Sequence, residues 1–328
     1  MLTLADIQRA AERVTPYINK TPVVTSTLLN QWLGHEVYFK VECLQKVGAF
    51  KARGGCNAVQ KIIEIHGEVK RVVANSSGNH AQAVAWSART FGIKATIFMP
   101  SFASQVKAQA TRAYGADVVL ADSRQEVDRL VAEAAQEPGT YWIPPFNDEA
   151  VMAGQGTAVL EAWAQMEHEP DAVFAPCGGG GLLSGTLAAV RGLSNTCQVV
   201  GAEPLNGNDA AKSIRAGEIQ VLDKSPDTLA DGAMTLSVGD KTFEHLQQLD
   251  DFYEVDEHDI AYWTQWLQQV LKLHVEPTSG MTMGAVCQWL KNKQTPQKVL
   301  VILSGGNIDE AHMRRVWAED HLVNQPHL

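Results

Sequence analysis

Short β-branched runs alternate with longer amphipathic stretches along almost the whole chain, and this alternation limits the fold more than any other feature. The runs are Val37–Glu42, Arg71–Ala74, Ala95–Met99, Asp117–Ala121, Ala172–Ala175, Gln198–Ala202 and Lys298–Leu303. Helical patterns separate them, at Ala52–His66, Ala81–Phe91, Ser104–Tyr114, Arg124–Gln136, Gly156–Met166, Leu182–Leu193, His258–Leu273 and Met281–Lys293. Consecutive parallel strands need a crossover, usually a helix, and those helices then cover both faces of the sheet. The expectation is an α/β protein of two domains with parallel-rich sheets covered by helices. Residues 71–148 hold about three strand–helix units in a row, enough for a small layer of their own. The pattern therefore predicts a small mobile domain at 71–148 and a larger, discontinuous one from 1–70 plus 149–328.

The 328 residues agree with two domains. Lys and Arg number 27 against 37 Asp and Glu, a net charge of −10, and no basic cluster stands out. A dedicated nucleic-acid or anionic-membrane binder would show a basic face, so neither partner is expected. One stretch, Ala172–Val190, runs without charge for about a membrane span. It contains Pro176 and four successive glycines, which suit a strand, a tight loop and a helix better than a spanning helix. Cys43, Cys56, Cys177, Cys197 and Cys287 are scattered and form no C-x-x-C pair, so neither a zinc site nor a disulfide framework is expected. The first residues, MLTLADIQRAAERV, carry charges at short intervals and lack a signal-peptide core. A reducing cytoplasm is the expected location.

Three of the strand candidates end in small polar loops: Asn75-Ser76-Ser77-Gly78-Asn79-His80, Pro176-Cys177-Gly178-Gly179-Gly180-Gly181 and Leu303-Ser304-Gly305-Gly306-Asn307. Each is expected to open onto a helix. In an open parallel sheet, ligands sit beyond the carboxyl ends of the strands, where such loops converge. Glycines let backbone amides approach an anion, and a following helix N-terminus adds free N–H groups and a favourable dipole. The Gly178–Gly181 run is the strongest such signal; its alternative is a tight turn without ligand. It is not a dinucleotide fingerprint, because Leu183 or Ser184 stands where the last glycine would fall, and no P-loop motif occurs.

The remaining clue is Gly48-Ala49-Phe50-Lys51-Ala52-Arg53-Gly54-Gly55. A lysine at a helix start is ordinarily solvated surface. A lysine in a desolvated pocket instead has its neutral amine favoured, which suits Schiff-base chemistry. Together with a phosphate cradle, it suggests pyridoxal phosphate.

At these residues the sequence resembles the fold-type II pyridoxal-phosphate enzymes, and within them the serine/threonine dehydratase and serine racemase branch. The resemblance runs, in order, through Glu42, Val47-Gly48-Ala49-Phe50-Lys51, the Ser-Ser-Gly-Asn-His loop, the tetraglycine loop, Glu276-Pro277 and Ser304-Gly305-Gly306-Asn307. It implies that Lys51 carries the cofactor as a Schiff base and later acts as the base at the substrate Cα. Phe50 would pack on the pyridine ring and Asn79 would bond the ring's 3′-oxygen. The amides of Gly178, Gly179, Gly180 and Gly181 would hold the phosphate. Ser304 would face the pyridine nitrogen, and a hydroxyl there leaves that nitrogen largely unprotonated, which favours prompt loss of a β-substituent. Ser76, Ser77, Gly78, Asn79 and His80 would grip the substrate carboxylate. Ser77 also matches the serine that faces the opposite side of the ring in racemases, and plain carboxylate binding is its alternative role.

The resemblance further implies a divalent-cation site, for Mg2+ or Ca2+, at Glu203, Gly207 and Asp209, against the alternative of a solvated acidic loop. Arg124 follows Asp122-Ser123 much as a substrate-side arginine does in serine racemase, or it is an ordinary helix-start arginine. Ala49 stands where many members have serine. The implied activity is β-elimination on L-threonine or L-serine, giving a 2-oxo acid and ammonia, by a homodimer. Serine racemase and threo-3-hydroxyaspartate ammonia-lyase share the motifs. The latter would need a cation for the second carboxylate, for which Arg124 and His80 are the candidates. A non-catalytic pyridoxal-phosphate or amino-acid binding protein is opposed by the joint presence of Lys51, Ser77 and Ser304, and a nucleotide-binding oxidoreductase by the missing fingerprint glycine.

Overall fold

The computed structural model describes residues 1–101, 103 and 105–328. Its strands, in chain order, are β1 (Val23–Thr25), β2 (Glu36–Val41), β3 (Arg71–Asn75), β4 (Lys94–Pro100), β5 (Asp117–Ala121), β6 (Thr140–Trp142), β7 (Ala172–Pro176), β8 (Gln198–Pro204), β9 (Asp251–Val255) and β10 (Lys298–Leu303). They form a six-stranded sheet in the order β1-β2-β10-β7-β8-β9 and a four-stranded sheet in the order β5-β4-β3-β6. Every pairing is parallel except β1 with β2. The fold is thus α/β with two parallel-rich sheets.

The strand nearest the end of the chain lies inside the larger sheet, with β10 pairing Val299 to Val37 of β2 and to Ala172 of β7. Its sequence, KVLVIL, is apolar at successive positions because both faces are covered. Val299, Val301 and Leu303 join one core with Phe39, Phe174 and Met281, while Leu300 and Ile302 join another with Val173 and Leu183. The period of two along a strand sorts them.

The helix Glu149–Trp163 ties the two functional segments together. It packs against both the helix that starts at Lys51 (Lys51–His66) and the helix that starts at Gly181 (Gly181–Leu193). The approach is close: a Cβ on Gly185 would lie 2.3 Å from the Met152 carbonyl oxygen, and one on Gly154 would lie 2.6 Å from that of Arg53. Both helix starts are therefore fixed relative to one rigid element.

Several elements differ from the sequence-based expectation. β1, β6 and β9 were not expected: the first two have only three residues each, and all three are edge strands whose outward residues keep the apolar run weak. Val37–Glu42 ends one residue early, since Glu42 opens a one-turn 3-10 helix. The helix expected from Gly156 begins at Glu149, where Asp148 accepts from the Val151 amide at 2.9 Å; Gly154 and Gly156 disguise its first turns. The helix expected from Met281 begins at Pro277, which suits a first helical position. The helix expected over Ser104–Tyr114 spans Gln105–Ala113, and Ser104 lies outside the described residues. Helices Leu4–Val14, Thr27–Leu33, Asp209–Ala216, Asp240–Leu246 and Glu310–Val316 were also not expected.

The uncharged run Ala172–Val190 resolves into β7, the glycine loop and a helix, and no described helix is long and apolar enough to cross a membrane. All five cysteines are free thiols. The loop after β10 is the exception among the three: it does not open directly onto a helix, the next one starting at Glu310.

Candidate active site

The segment before Lys51 is laced to the loop after β10. The Phe50 amide donates to the Ser304 carbonyl at 2.9 Å, the Gly306 amide donates to the Gly48 carbonyl at 3.0 Å, and Ala49 forms a bridge with Gly305. Val47 and Gly48 both take left-handed backbone angles, φ 57° and 70°. A β-branched residue there is strained, so something must hold it. Asn307 does so, its Nδ2 donating to the Val47 carbonyl at 2.7 Å.

Lys51 follows at the first position of its helix, with part of its side chain open to the cleft. Its Nζ donates to the Pro145 carbonyl oxygen at 2.6 Å and lies 5.2 Å from the centre of the Phe50 ring. Burial pushes its amine down to about 8, opposed only by the nearby Glu276 carboxylate. A lysine held this way exchanges its proton near neutral pH and offers a nucleophilic amine.

The glycine loop packs against the residue next to Lys51's acceptor. A Cβ on Gly179 would lie 2.2 Å from the Phe146 ring, so this position accepts glycine alone without displacement of the ring. Gly180 is left-handed at φ 90° and caps the helix Gly181–Leu193. Among the described residues nothing accepts from the amides of Gly178, Gly179, Gly180 and Gly181. Four free amides at the start of a thirteen-residue helix form an anion cradle.

Asn79 and Ser304 sit in one polar network. The Asn79 Nδ2 donates to Glu276 at 3.2 Å, and its Oδ1 accepts from Asn307 Nδ2 at 2.8 Å. Glu276 also accepts from the Asn307 amide at 3.1 Å; its carboxyl is raised well above the usual range, chiefly by desolvation and next by Asp231. Ser304 is buried with its Oγ 3.0 Å from Ser279 Oγ, and no carboxylate bonds it. Glu276 was noticed in the sequence only as part of a motif, and Ser279, Pro145 and Phe146 were missed. The three loops gave the positions, but which distant polar residues meet them depends on topology.

In the β3 loop, the Ser76 Oγ accepts from the Gly78 amide at 3.2 Å, while the partly exposed Ser77 has no hydrogen bond recorded among the described residues. His80 requires a correction. It is buried, its Nε2 lies 2.9 Å from the Ile143 carbonyl oxygen, and desolvation reinforced by Lys51 pushes it down to about 3. It is a neutral ring turned toward β6 and supplies no cation for a second carboxylate. Arg124 lies at an exposed helix start with Nη2 3.3 Å from Ser225 Oγ.

The family model for pyridoxal-phosphate dependent enzymes matches residues 14–305. This chain belongs to that family. The enzyme is 42% identical over 313 residues to an L-threo-3-hydroxyaspartate ammonia-lyase of Saccharomyces cerevisiae, covering 94% of each chain. It is 39% identical to a serine racemase of Schizosaccharomyces pombe, again over 94% of each. The crystal structure of a serine racemase from Dictyostelium discoideum superposes with a TM-score of 0.87 at 39% identity, over 94% of this chain and 99% of that one. That of a bacterial-type threonine deaminase, from T.th., superposes with a TM-score of 0.88 at 41% identity and the same coverage. The enzyme is therefore of fold type II, in the branch that holds serine racemases, threonine deaminases and hydroxyaspartate ammonia-lyases.

The residues of this enzyme fit the cofactor. A desolvated lysine amine, a cradle of free glycine amides where a Cβ would strike Phe146, and a buried hydroxyl at Ser304 are the groups that a pyridoxal phosphate needs. Glu203, Gly207 and Asp209 lie behind the glycine loop, where the Cys177 amide donates to the Ala202 carbonyl at 2.7 Å. Both carboxylates are buried. Glu203 accepts the amides of Ala211 at 2.6 Å and Ala210 at 3.1 Å, and Asp209 Oδ2 has no partner among the described residues. Desolvation raises Glu203 to about 9 and Asp209 to about 7. Two buried acids without a countercharge, one with an orphaned oxygen, are a donor set that a hard divalent cation would satisfy.

Proposed function

We propose that this enzyme is an ammonia-lyase acting on β-hydroxy amino acids, converting L-threonine to 2-oxobutyrate and L-serine to pyruvate with release of ammonia. The observation that carries this reading is the Lys51 amine, held at about 8 beside Phe50 and within reach of the glycine cradle, while a hydroxyl, Ser304, stands where an acid would strengthen the cofactor's ring.

Bound pyridoxal phosphate supplies an electron sink for charge developing at the substrate Cα. The amides of Gly178–Gly181 bind its phosphate, Phe50 supports the ring, Asn79 bonds the 3′-oxygen, and Ser304 bonds the ring nitrogen without protonating it. Lys51 carries the cofactor at rest and, once released by the substrate amine, takes the proton from Cα. The loop Ser76–His80 orients the substrate carboxylate through its hydroxyls and the backbone amides at the start of the helix Asn79–Thr90. With Cα fixed, the β-hydroxyl leaves as water, and later hydrolysis returns one water and frees ammonia. Segment 71–148 closes over the cleft to keep bulk water from Cα during this step.

A second reading, racemisation, has its own support. Ser77 has no hydrogen bond recorded among the described residues, so its hydroxyl is free to give or take a proton on the face opposite Lys51. For a 3-hydroxyaspartate substrate, Arg124 is the remaining one of the two candidate cations. We also propose Mg2+ or Ca2+ at Glu203, Asp209 and the Gly207 carbonyl, a homodimer on kinship alone, and a reducing cytoplasm on the free cysteines.

The test is an amino-acid panel on the protein loaded with pyridoxal phosphate and Mg2+: L-serine, D-serine, L-threonine and the 3-hydroxyaspartate isomers, scored for 2-oxo acid and for the configuration of unreacted substrate. Pyruvate and 2-oxobutyrate without inversion support the ammonia-lyase. Accumulating D-serine, or oxaloacetate formed fastest, would move the assignment to racemase or hydroxyaspartate lyase.

A further inference from the structure

Among the described residues, one ion pair joins segment 71–148 to the rest of the chain: Lys107 with Asp231. All other ion pairs lie within one part or the other. Lys107 belongs to the helix Gln105–Ala113, which follows β4 and packs on the helix beginning at Asn79. Asp231 opens a one-turn 3-10 helix, Asp231–Ala233, on the opposite side of the cleft.

Asp231 is fixed to the cofactor-binding elements rather than free on a loop. The next amide, Gly232, donates to Thr278 Oγ1 at 3.0 Å, in the helix that Glu276 precedes. The Gly232 carbonyl oxygen lies 2.9 Å from where a Cβ on Gly178 would stand, so this turn backs the first glycine of the cradle. Both side chains of the pair are mostly buried, 17% and 16% exposed, so bulk salt screens it little. The other side-chain links across the cleft include Asn79 to Glu276, Arg124 to Ser225 and Asn147 to Asp240, each a hydrogen bond with at least one neutral partner. Lys107 also faces Glu276 and Asp309, but Glu276 is already committed to Asn79 and Asn307.

We propose that the Lys107–Asp231 pair is the clasp that holds segment 71–148 closed over Lys51, which makes both of them positioning residues for the reaction. The inference rests on the proposed function only in taking this cleft as the place of the chemistry. Breaking the pair leaves one charge buried and unpaired on a surface that opening would wet, so the open form gains relative to the closed one.

The experiment strips bound pyridoxal phosphate from the loaded protein with hydroxylamine and follows the loss by absorbance, a readout that needs no turnover. Lys107→Gln and Asp231→Asn are each expected to speed stripping by at least about tenfold. The reversed pair, Lys107→Asp with Asp231→Lys, is expected to return the rate to within about threefold of the parent. In turnover, the single variants should raise KM for L-threonine more than they lower kcat. Stripping rates within about twofold of the parent in both single variants would overturn the clasp. So would a reversed pair that strips as fast as the singles, because a merely structural defect would not be rescued by exchanging charges. A parent inactive on every β-hydroxy amino acid would defeat the proposed function, while the stripping rates would still decide the clasp.

Discussion

Arg53 lies two residues beyond Lys51 and is fully buried, so its removal tests how the start of that helix is held. Its Nε and Nη2 bond Glu42 at 2.7 and 2.8 Å, Nη2 bonds Glu161 at 3.0 Å, and Nη1 bonds Thr157 at 3.2 Å. Lys40, also fully buried, bonds Glu161 at 2.5 Å. Two cations face two carboxylates, and the cluster is neutral. Arg53→Met keeps much of the apolar volume but leaves a net negative charge where Glu42 has no access to water. Breaking a buried pair in this way costs about 3–5 kcal/mol, against a total stability of about 5–15. At roughly 2 °C per kcal/mol for a chain of this size, Tm should fall by about 6–10 °C. Thermal and urea unfolding followed by circular dichroism measure it. Adding Glu42→Gln removes the excess charge and should recover about 1–3 kcal/mol as coupling between the sites. The reasoning fails if Arg53→Met costs less than about 1 kcal/mol, or if the double variant loses the sum of the two singles.

Gly179→Ala would force the Phe146 ring away from a Cβ at 2.2 Å, and Phe146 follows the residue whose carbonyl holds Lys51. Overpacking of about 1–3 kcal/mol should weaken pyridoxal-phosphate binding by about tenfold to a hundredfold, measured by fluorescence titration, while the fold persists. Lys51 is depressed to about 8, so its amine is neutral above that pH and protonated below it. Capture of the cofactor by the apoprotein should therefore be about tenfold slower at pH 7 than at pH 9, levelling above the midpoint; a flat profile would contradict the shift. Millimolar Mg2+ should raise the Tm of the parent by preferential binding to the folded state and leave Asp209→Asn unmoved, with an equal rise in both arguing against the cation site.

The parts of the site that were legible in the sequence are those in which one short segment carries its own chemistry. Gly178–Gly181 can build an anion cradle from its own backbone, and Lys51 is flanked by the residues that enclose it. The alternation of strands and helices likewise revealed most of the parallel pairings, since buried strands such as β7 and β10 are apolar on both faces. What stayed hidden was assembled from residues far apart. Asn79, Glu276 and Asn307 each read as ordinary surface polar groups, and only the pairing of chain segments some 200 positions apart buries them together. His80 looked like a candidate cation because its motif position said nothing of burial, whereas the fold places its ring against the Ile143 carbonyl and keeps it neutral. β1 and β6 escaped notice because three-residue edge strands have too few inward positions to show a period.

The central claim is that Lys51 is the residue through which this enzyme handles its cofactor and the substrate proton. It is tested most directly by reducing the loaded protein with borohydride, digesting it and locating the pyridoxyl group by mass spectrometry. The account predicts a single modified peptide with the group on Lys51 and none in Lys51→Ala. Modification of another lysine in the parent, or a protein that binds the cofactor and acquires no label, would contradict it.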